Sequence, residues 1–218
     1  FCFEFERLRV YQAEHNGSAI GFKSGLPISF DGTCSGLQHF SMLLADEVGG
    51  KNVNLIPDET VHDIYQVVAD KVNVVLHQDV ITGTADDYKK DKKSGEYVLD
   101  SKGKKCIVYG TKELATEWLS YAHEKFGTDG IKRKVCKRSV MTLAYGSRTY
   151  GFSENLKSDI IKPWLDEHKD NPIFLSRSQA ANYMAGLIWD AVTTTVVKAV
   201  EGMEWLKKIA GMIGKNGE

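Results

Sequence analysis

Five of the eight residues from Ile131 to Arg138 are basic, within the stretch IKRKVCKRSVMTLAYGS that runs to Ser147. Arg133, Lys137, Met141 and Tyr145 recur every four residues, so on a helix they form one slightly drifting row. The row passes from two cations to an apolar side chain and then to an aromatic ring. Gly146 follows, and its missing side chain allows close backbone approach. This order of properties suits a nucleoside triphosphate laid along the helix, with the cations at the phosphates and the ring at the sugar and base. A merely solvated basic face, or a localisation-type patch, would require no such order.

The second chemical candidate is ISFDGTCSGLQHF, residues 28–40. Asp31 stands between an alternating apolar segment and a run of small residues. Three readings fit it. Asp31 is a ligand for a hard cation such as Mg2+, which takes carboxylate oxygens. Alternatively, GTCSG is a variant nucleophile elbow with Cys34 as an exposed thiolate. The third reading makes Asp31 a turn cap and Cys34 a small buried residue.

The elements that must position these residues follow from periodicity. Ile28 and Phe30 alternate about Ser29, which predicts a short strand. Gly32 to Gly36 supply a turn and a helix start, and Leu37, Phe40, Leu44 and Val48 recur at helical spacing. Phe1, Phe3 and Phe5 alternate and suggest another strand, with a buried helix as the alternative. A helix is predicted from Pro57 and Asp58, with Val61, Ile64, Tyr65, Val68, Val72, Val75 and Leu76 as its apolar stripe. Residues 83–105 are dense in Lys, Asp, Gly and Ser and read as an exposed loop or hairpin whose charges are solvated. Leu114, Trp118 and Tyr121 mark the inward face of a further helix. More helix is expected near 154–167, and one long helix or two from 176 onwards. No internal repeat is present.

Composition bounds the class. The chain has 218 residues, 42% hydrophobic and 26% charged, with a net charge of −1. That balance excludes a globally basic nucleic-acid binder but not a local basic patch. The four cysteines form no C-x-x-C pair, which favours neither a zinc site nor a disulfide framework and fits a reducing compartment. No apolar run of about 18 residues and no signal peptide appears, so a cytoplasmic protein without membrane association is expected. The aromatic start at Phe1 and the finish at GKNGE lead us to expect an internal piece of something longer.

R-x-x-x-K with Y-G eight residues after the lysine resembles motif B of the polymerase superfamily that includes bacterial DNA polymerase I. FDGTCSGLQHFS resembles its motif A. The longer strings DEVGGKNVNLIPDETVHDIY, KRSVMTLAYGS and NYMAGLIWDAVTTTVVKAVEGMEWLK are similar to the single-subunit DNA-directed RNA polymerases of bacteriophages. The likeness spans nearly the whole chain, with 9–25 and 83–105 outside it.

The resemblance implies an α+β, helix-rich fold: a polymerase palm with a small antiparallel sheet over residues 1–60, and mainly helical fingers over 61–218. It implies that Asp31, with the Gly32 carbonyl, binds Mg2+ as one of two aspartates holding a pair of ions. It further implies that Arg133 and Lys137 grip the incoming phosphates. Tyr145 would close the sugar end of the pocket, where ribose is told from deoxyribose, and Gly146 would lie against the template. Met141 stands where many DNA polymerases carry an aromatic residue. The implied partners are a DNA template, an RNA product and ribonucleoside triphosphates, acting in a monomeric parent in the host cytoplasm. The family's motif C, a His-Asp-Ser hairpin with the second metal aspartate, is not found, and His62-Asp63-Ile64 is read as a decoy on an apolar-striped helix. The chain by itself is therefore expected to be catalytically incomplete. A non-catalytic binding fragment and, more remotely, a cysteine hydrolase built on Cys34 are the alternatives.

Overall fold

The structure is a computed structural model and describes residues 2–27, 32–170 and 172–216. The chain divides into two compact units, Phe1–Gly32 and Thr33–Glu218. The expected strand at 28–30 and Asp31 lie outside the described residues.

The first unit is helix α1 (Cys2–Glu14) with the following chain folded back along it. The Tyr11 hydroxyl donates to the Ile20 carbonyl at 2.9 Å, and the Gly25 amide donates to Glu4 Oε1 at 3.0 Å. That amide, ahead of the other partners, holds the Glu4 carboxyl below its ordinary range. The strand expected from Phe1, Phe3 and Phe5 is corrected here. Phe3 is 91% exposed on a helix that buries no residue, so the buried-helix alternative fails as well. Helix-forming Glu4, Glu6, Arg7, Leu8 and Arg9 dominate the segment, and an Arg7–Glu4 pair at 2.8 Å spans one turn.

The second unit is helical apart from one hairpin. Its elements are α2 (Ser35–Leu43), α3 (Glu47–Asn52), α4 (Ile64–Thr82), β1 (Asp87–Tyr88), β2 (Ile107–Val108), α5 (Thr111–Phe126), α6 (Arg133–Leu143), α7 (Thr149–Leu156), α8 (Lys162–Glu167), α9 (Arg177–Thr193) and α10 (Val197–Asn216). A π turn over Lys157–Ile161 joins α7 to α8. The tail is thus two helices, parted at 194–196.

The core lies where α4 packs on α5, α6 and α9, and where α7 packs on α9. Trp118 sits at its centre, with Tyr121 and Phe174 edge-on and its indole N–H donating to the Ala180 carbonyl at 3.0 Å. The donor of a buried indole needs such a partner. Leu114, Trp118 and Tyr121 are buried as expected.

Two helix boundaries differ from expectation. The run through Leu44 and Val48 breaks at Ala45, which has φ 49°. Asp46 then caps α3 by accepting the Gly49 amide at 2.9 Å, a local bond that competes with continued helix. Helix α4 starts at Ile64 rather than Pro57, because Asp63 accepts the amides of Tyr65 and Gln66. Asn54 meanwhile ties both the amide and the carbonyl of His62, each at 2.7 Å, holding the preceding segment out of helix. Val61 is consequently 92% exposed and Val75 is also exposed.

Where a loop or hairpin was expected over 83–105, residues 87–108 form a hairpin. β1 pairs antiparallel with β2, in the one sheet among the described residues. Its turns are built by Asp91 and Asp100, each accepting two backbone amides, with Gly95 and Gly103 at positive φ. Lysines 90 and 105 cover the Tyr97 ring, so part of the charge run packs on aromatics rather than being merely solvated.

Glu117 is a buried acid at 3% exposure. Its Oε1 accepts the Leu175 amide at 2.8 Å, while Oε2 has no partner among the described residues. Burial pushes its carboxyl up to about 7, against the pull of the Leu175 amide. The folded state then holds this proton to higher pH than the unfolded chain, so stability falls as pH rises from the ordinary carboxyl value through about 7. Glu117→Gln should flatten that fall while keeping an acceptor for Leu175. Hydrogen-exchange protection of α5 in the intact protein, corrected for intrinsic exchange, is the check. A slope unchanged in the variant would assign the pH dependence to another group.

Candidate functional site

Helix α6 carries the basic row because its other face is core. Val135, Cys136, Ser139, Val140 and Leu143 are buried, so the spacing turns Arg133, Lys137 and Met141 outward along one edge. The start of α6 is pinned to α4 by Asn73, whose amide group accepts from the Ile131 N–H at 2.8 Å and donates to its carbonyl at 3.0 Å.

Beneath the row lies Tyr65, the second residue of α4, buried at 5% exposure. The Arg133 guanidinium carbon stands 5.3 Å from its ring centroid and the Lys137 ammonium 5.8 Å, within cation–π reach. Arg133 Nε also meets Asp63 Oδ2 at 2.6 Å. Lys137 has no carboxylate partner among the described residues. Arg138, by contrast, is taken up by Asp159.

The Tyr65 hydroxyl lies beside the Cys34 thiol. Burial, then the neighbouring Cys34, pushes the Tyr65 phenol up, so it stays a neutral hydrogen-bonding group. Cys34 is buried, and burial likewise raises its thiol. It is the N-cap residue of α2 at φ 57°, with no side-chain cap. A buried, protonated thiol beside a tyrosine is a poor nucleophile, and His39 on α2 is exposed. The elbow reading therefore lacks both its exposed thiolate and its base.

The two motifs meet through a glycine. A Cβ on Gly36 would lie 2.4 Å from the Ala144 Cβ, closer than two carbons can approach. Only glycine lets α2 press against the chain leaving α6.

One expectation about the row is corrected. Helix α6 ends at Leu143, so Tyr145 and Gly146 lie in a turn beyond it rather than on its face. The amides of Tyr145 and Gly146 bond back to Thr142 and Leu143, and Gly146 takes φ 84°. A left-handed residue here stops the helix at little cost because it is glycine. Tyr145 is 81% exposed and is not part of the core. Met141, one turn after Lys137, is also exposed.

Arg133 and Lys137 are thus brought together over Tyr65, with Met141 one turn further along α6 and Tyr145 in the turn beyond its end. Asp31 lies outside the described residues, and among those described no three His, Cys, Asp or Glu side chains converge on a common point. Sequence reasoning took Asp63 only as part of a decoy string on the apolar-striped helix, whereas it stands just before α4 as its N-cap. The signal was present, since an Asp directly before an apolar-periodic run is a helix N-cap pattern.

The chain belongs to the DNA-dependent RNA polymerase family, whose sequence profile matches residues 1–218. It is 48% identical over 215 residues to the DNA-directed RNA polymerase of Enterobacteria phage T3, and 46% identical over 215 residues to T7 RNA polymerase of Escherichia phage T7. Each alignment covers 98% of this chain and 22% of the relative. A mitochondrial DNA-directed RNA polymerase of Mus musculus is 25% identical over 210 residues, 96% of this chain and 14% of that protein. The chain therefore spans about a fifth of the phage relatives' length. No described helix is long and apolar enough to cross a membrane.

Proposed function

We propose that the intact protein carrying this chain synthesises RNA on a DNA template, and that this segment supplies its nucleotide-binding helix and one metal-binding carboxylate. The reaction is attack of an RNA 3′-hydroxyl on the α-phosphate of a ribonucleoside triphosphate, with pyrophosphate leaving. The observation that carries the reading is the alignment of Arg133 and Lys137 along one edge of α6, over the buried ring of Tyr65. Two fixed cations on one edge match a polyphosphate, and charge-assisted bonds to phosphate are the strong class of hydrogen bond. Their role is to bind and orient the triphosphate, which holds the α-phosphorus for in-line attack.

Asp31 and the Gly32 carbonyl are hard oxygen donors of the kind Mg2+ takes. When bound, a metal pair would neutralise phosphate charge and activate the attacking and leaving oxygens. The chain offers one such aspartate in its motif A. The second belongs to the motif C absent from this sequence, and we therefore expect the segment alone to be inactive. In this reading residues 1–60 belong to the palm and 61–218 to the fingers.

Tyr145 is assigned to the sugar. Its exposure supports this, because a tyrosine that does not serve the core is available to a ligand. Tyr145→Phe removes only the hydroxyl. If that group is desolvated against the nucleotide, its loss shifts ribo-over-deoxyribonucleotide preference by about 1–3 kcal/mol, roughly 5- to 150-fold. The expected result is ready incorporation of deoxyribonucleotides, with ribonucleotide use little changed, in competition on one template. An unchanged ratio alongside normal activity would assign sugar discrimination to another residue.

A further inference from the structure

We infer that Asp63 is a positioning residue that sets the Arg133 guanidinium for the triphosphate, an inference that rests on the phosphate role of Arg133 given above. The two oxygens of Asp63 have different duties. Oδ1 accepts the amides of Tyr65 at 3.0 Å and Gln66 at 3.4 Å, which fixes the carboxylate to the first turn of α4. Oδ2 receives Arg133 Nε at 2.6 Å. The carboxylate therefore cannot swing with the arginine; it is an anchor on a helix end.

The choice of Nε matters. A guanidinium carries five N–H donors in a planar fork, and Nε is at its stem. A pair made there leaves the four terminal N–H groups for a second anion. The Tyr65 ring, buried and 5.3 Å from the guanidinium carbon, restricts the plane from one side. Stem and face are thus both held, and the tip is left for phosphate. A lysine at 133 could not satisfy this arrangement, having one nitrogen and no plane.

The same pair contributes little to folding. The Arg133 and Asp63 side chains are 48% and 35% exposed, and ion pairs this open to water are weak. A loss of function on removing the charge would accordingly not be a loss of fold. Asp63 lies in the His62-Asp63-Ile64 string, where its resemblance to a metal-binding motif is incidental. Its partner is an arginine.

The test is a double-mutant cycle in the full-length protein, with KM for ribonucleoside triphosphates and kcat measured separately. Asp63→Asn keeps an N-cap acceptor and removes the charge, and Asp63→Ser does the same with a hydroxyl should the first variant fold poorly. Either should raise KM about two- to fivefold, the scale of one partly exposed charge pair, with kcat changed less. Neither should raise it further once Arg133→Ala is present. A KM that is unchanged or lowered by Asp63→Asn overturns the inference. So does an equal rise in the Arg133→Ala background, since the effect would then travel through α4 and not through the arginine. If Arg133→Ala itself leaves KM unchanged, the phosphate reading of Arg133 fails and the inference falls with it. A raised KM in Arg133→Ala with additive behaviour removes the inference alone.

Discussion

Asp31→Asn in the full-length protein should abolish RNA synthesis while leaving binding of the DNA template largely intact. The substitution keeps side-chain shape and one carbonyl oxygen but removes the negative charge that a divalent cation requires. Losing one preorganised charge-stabilising group typically costs ~10²–10³-fold in rate. A metal ligand that also sets the geometry of both reacting oxygens should cost at least that. Binding of a protein to duplex DNA generally rests on many contacts spread along it and on counterion release, so loss of the one charge proposed for the metal should change it little. Elongation at fixed nucleotide concentration, beside a filter or fluorescence assay of template affinity, separates the two. Normal elongation by the Asn variant would remove Asp31 from the metal site.

Lys137→Ala should raise the nucleotide requirement and slow the chemical step together. In the role proposed for it the ammonium would face the phosphates in the ground state and again as charge builds toward pyrophosphate, so both states would lose the same partner. Removing one charged hydrogen bond costs about 1.5–3 kcal/mol, or roughly 10- to 150-fold. The structure makes this a clean substitution: Lys137 is exposed, its recorded contact is the Tyr65 ring at 5.8 Å, and no core packing is lost. The comparison is Lys134→Ala. Lys134 lines a crevice with Asp159 and Trp164 on another side of α6, so its loss should leave nucleotide kinetics near normal. The reverse pattern would show that the wrong edge of α6 had been assigned to the phosphates.

These tests bear on a site whose ingredients are local and whose assembly is not. The sequence by itself determined the amphipathic helices α4, α5 and α6, because apolar side chains at helical spacing leave few other ways to bury them. It also determined the two tight turns of the hairpin, where Asp and Gly each have a local bond or conformation to offer. The row Arg133, Lys137, Met141 was legible for the same reason, since four-residue spacing is a property of the helix alone. Family membership was legible too, from motifs long enough to exclude chance.

Helix ends were less legible. Whether a chain stops at Leu44, starts at Ile64 or leaves the helix after Leu143 depends on single hydrogen bonds from Asp46, Asp63 and Asn54, and on one glycine at positive φ. Each is small beside the burial of a helix face, and periodicity does not register it. The α1 segment was misread because alternation of three phenylalanines is a weak pattern beside helix-forming Glu4, Glu6, Arg7, Leu8 and Arg9, and Phe3 in fact stands in solvent. Only the tertiary structure decided that Asp63 caps α4 and pairs with an arginine 70 positions later, that Tyr65 lies between Cys34 and the basic row, and that Gly36 admits Ala144. Contacts between residues far apart in the chain are set by how helices pack. Packing is fixed by side-chain shape in three dimensions, which a linear spacing does not carry.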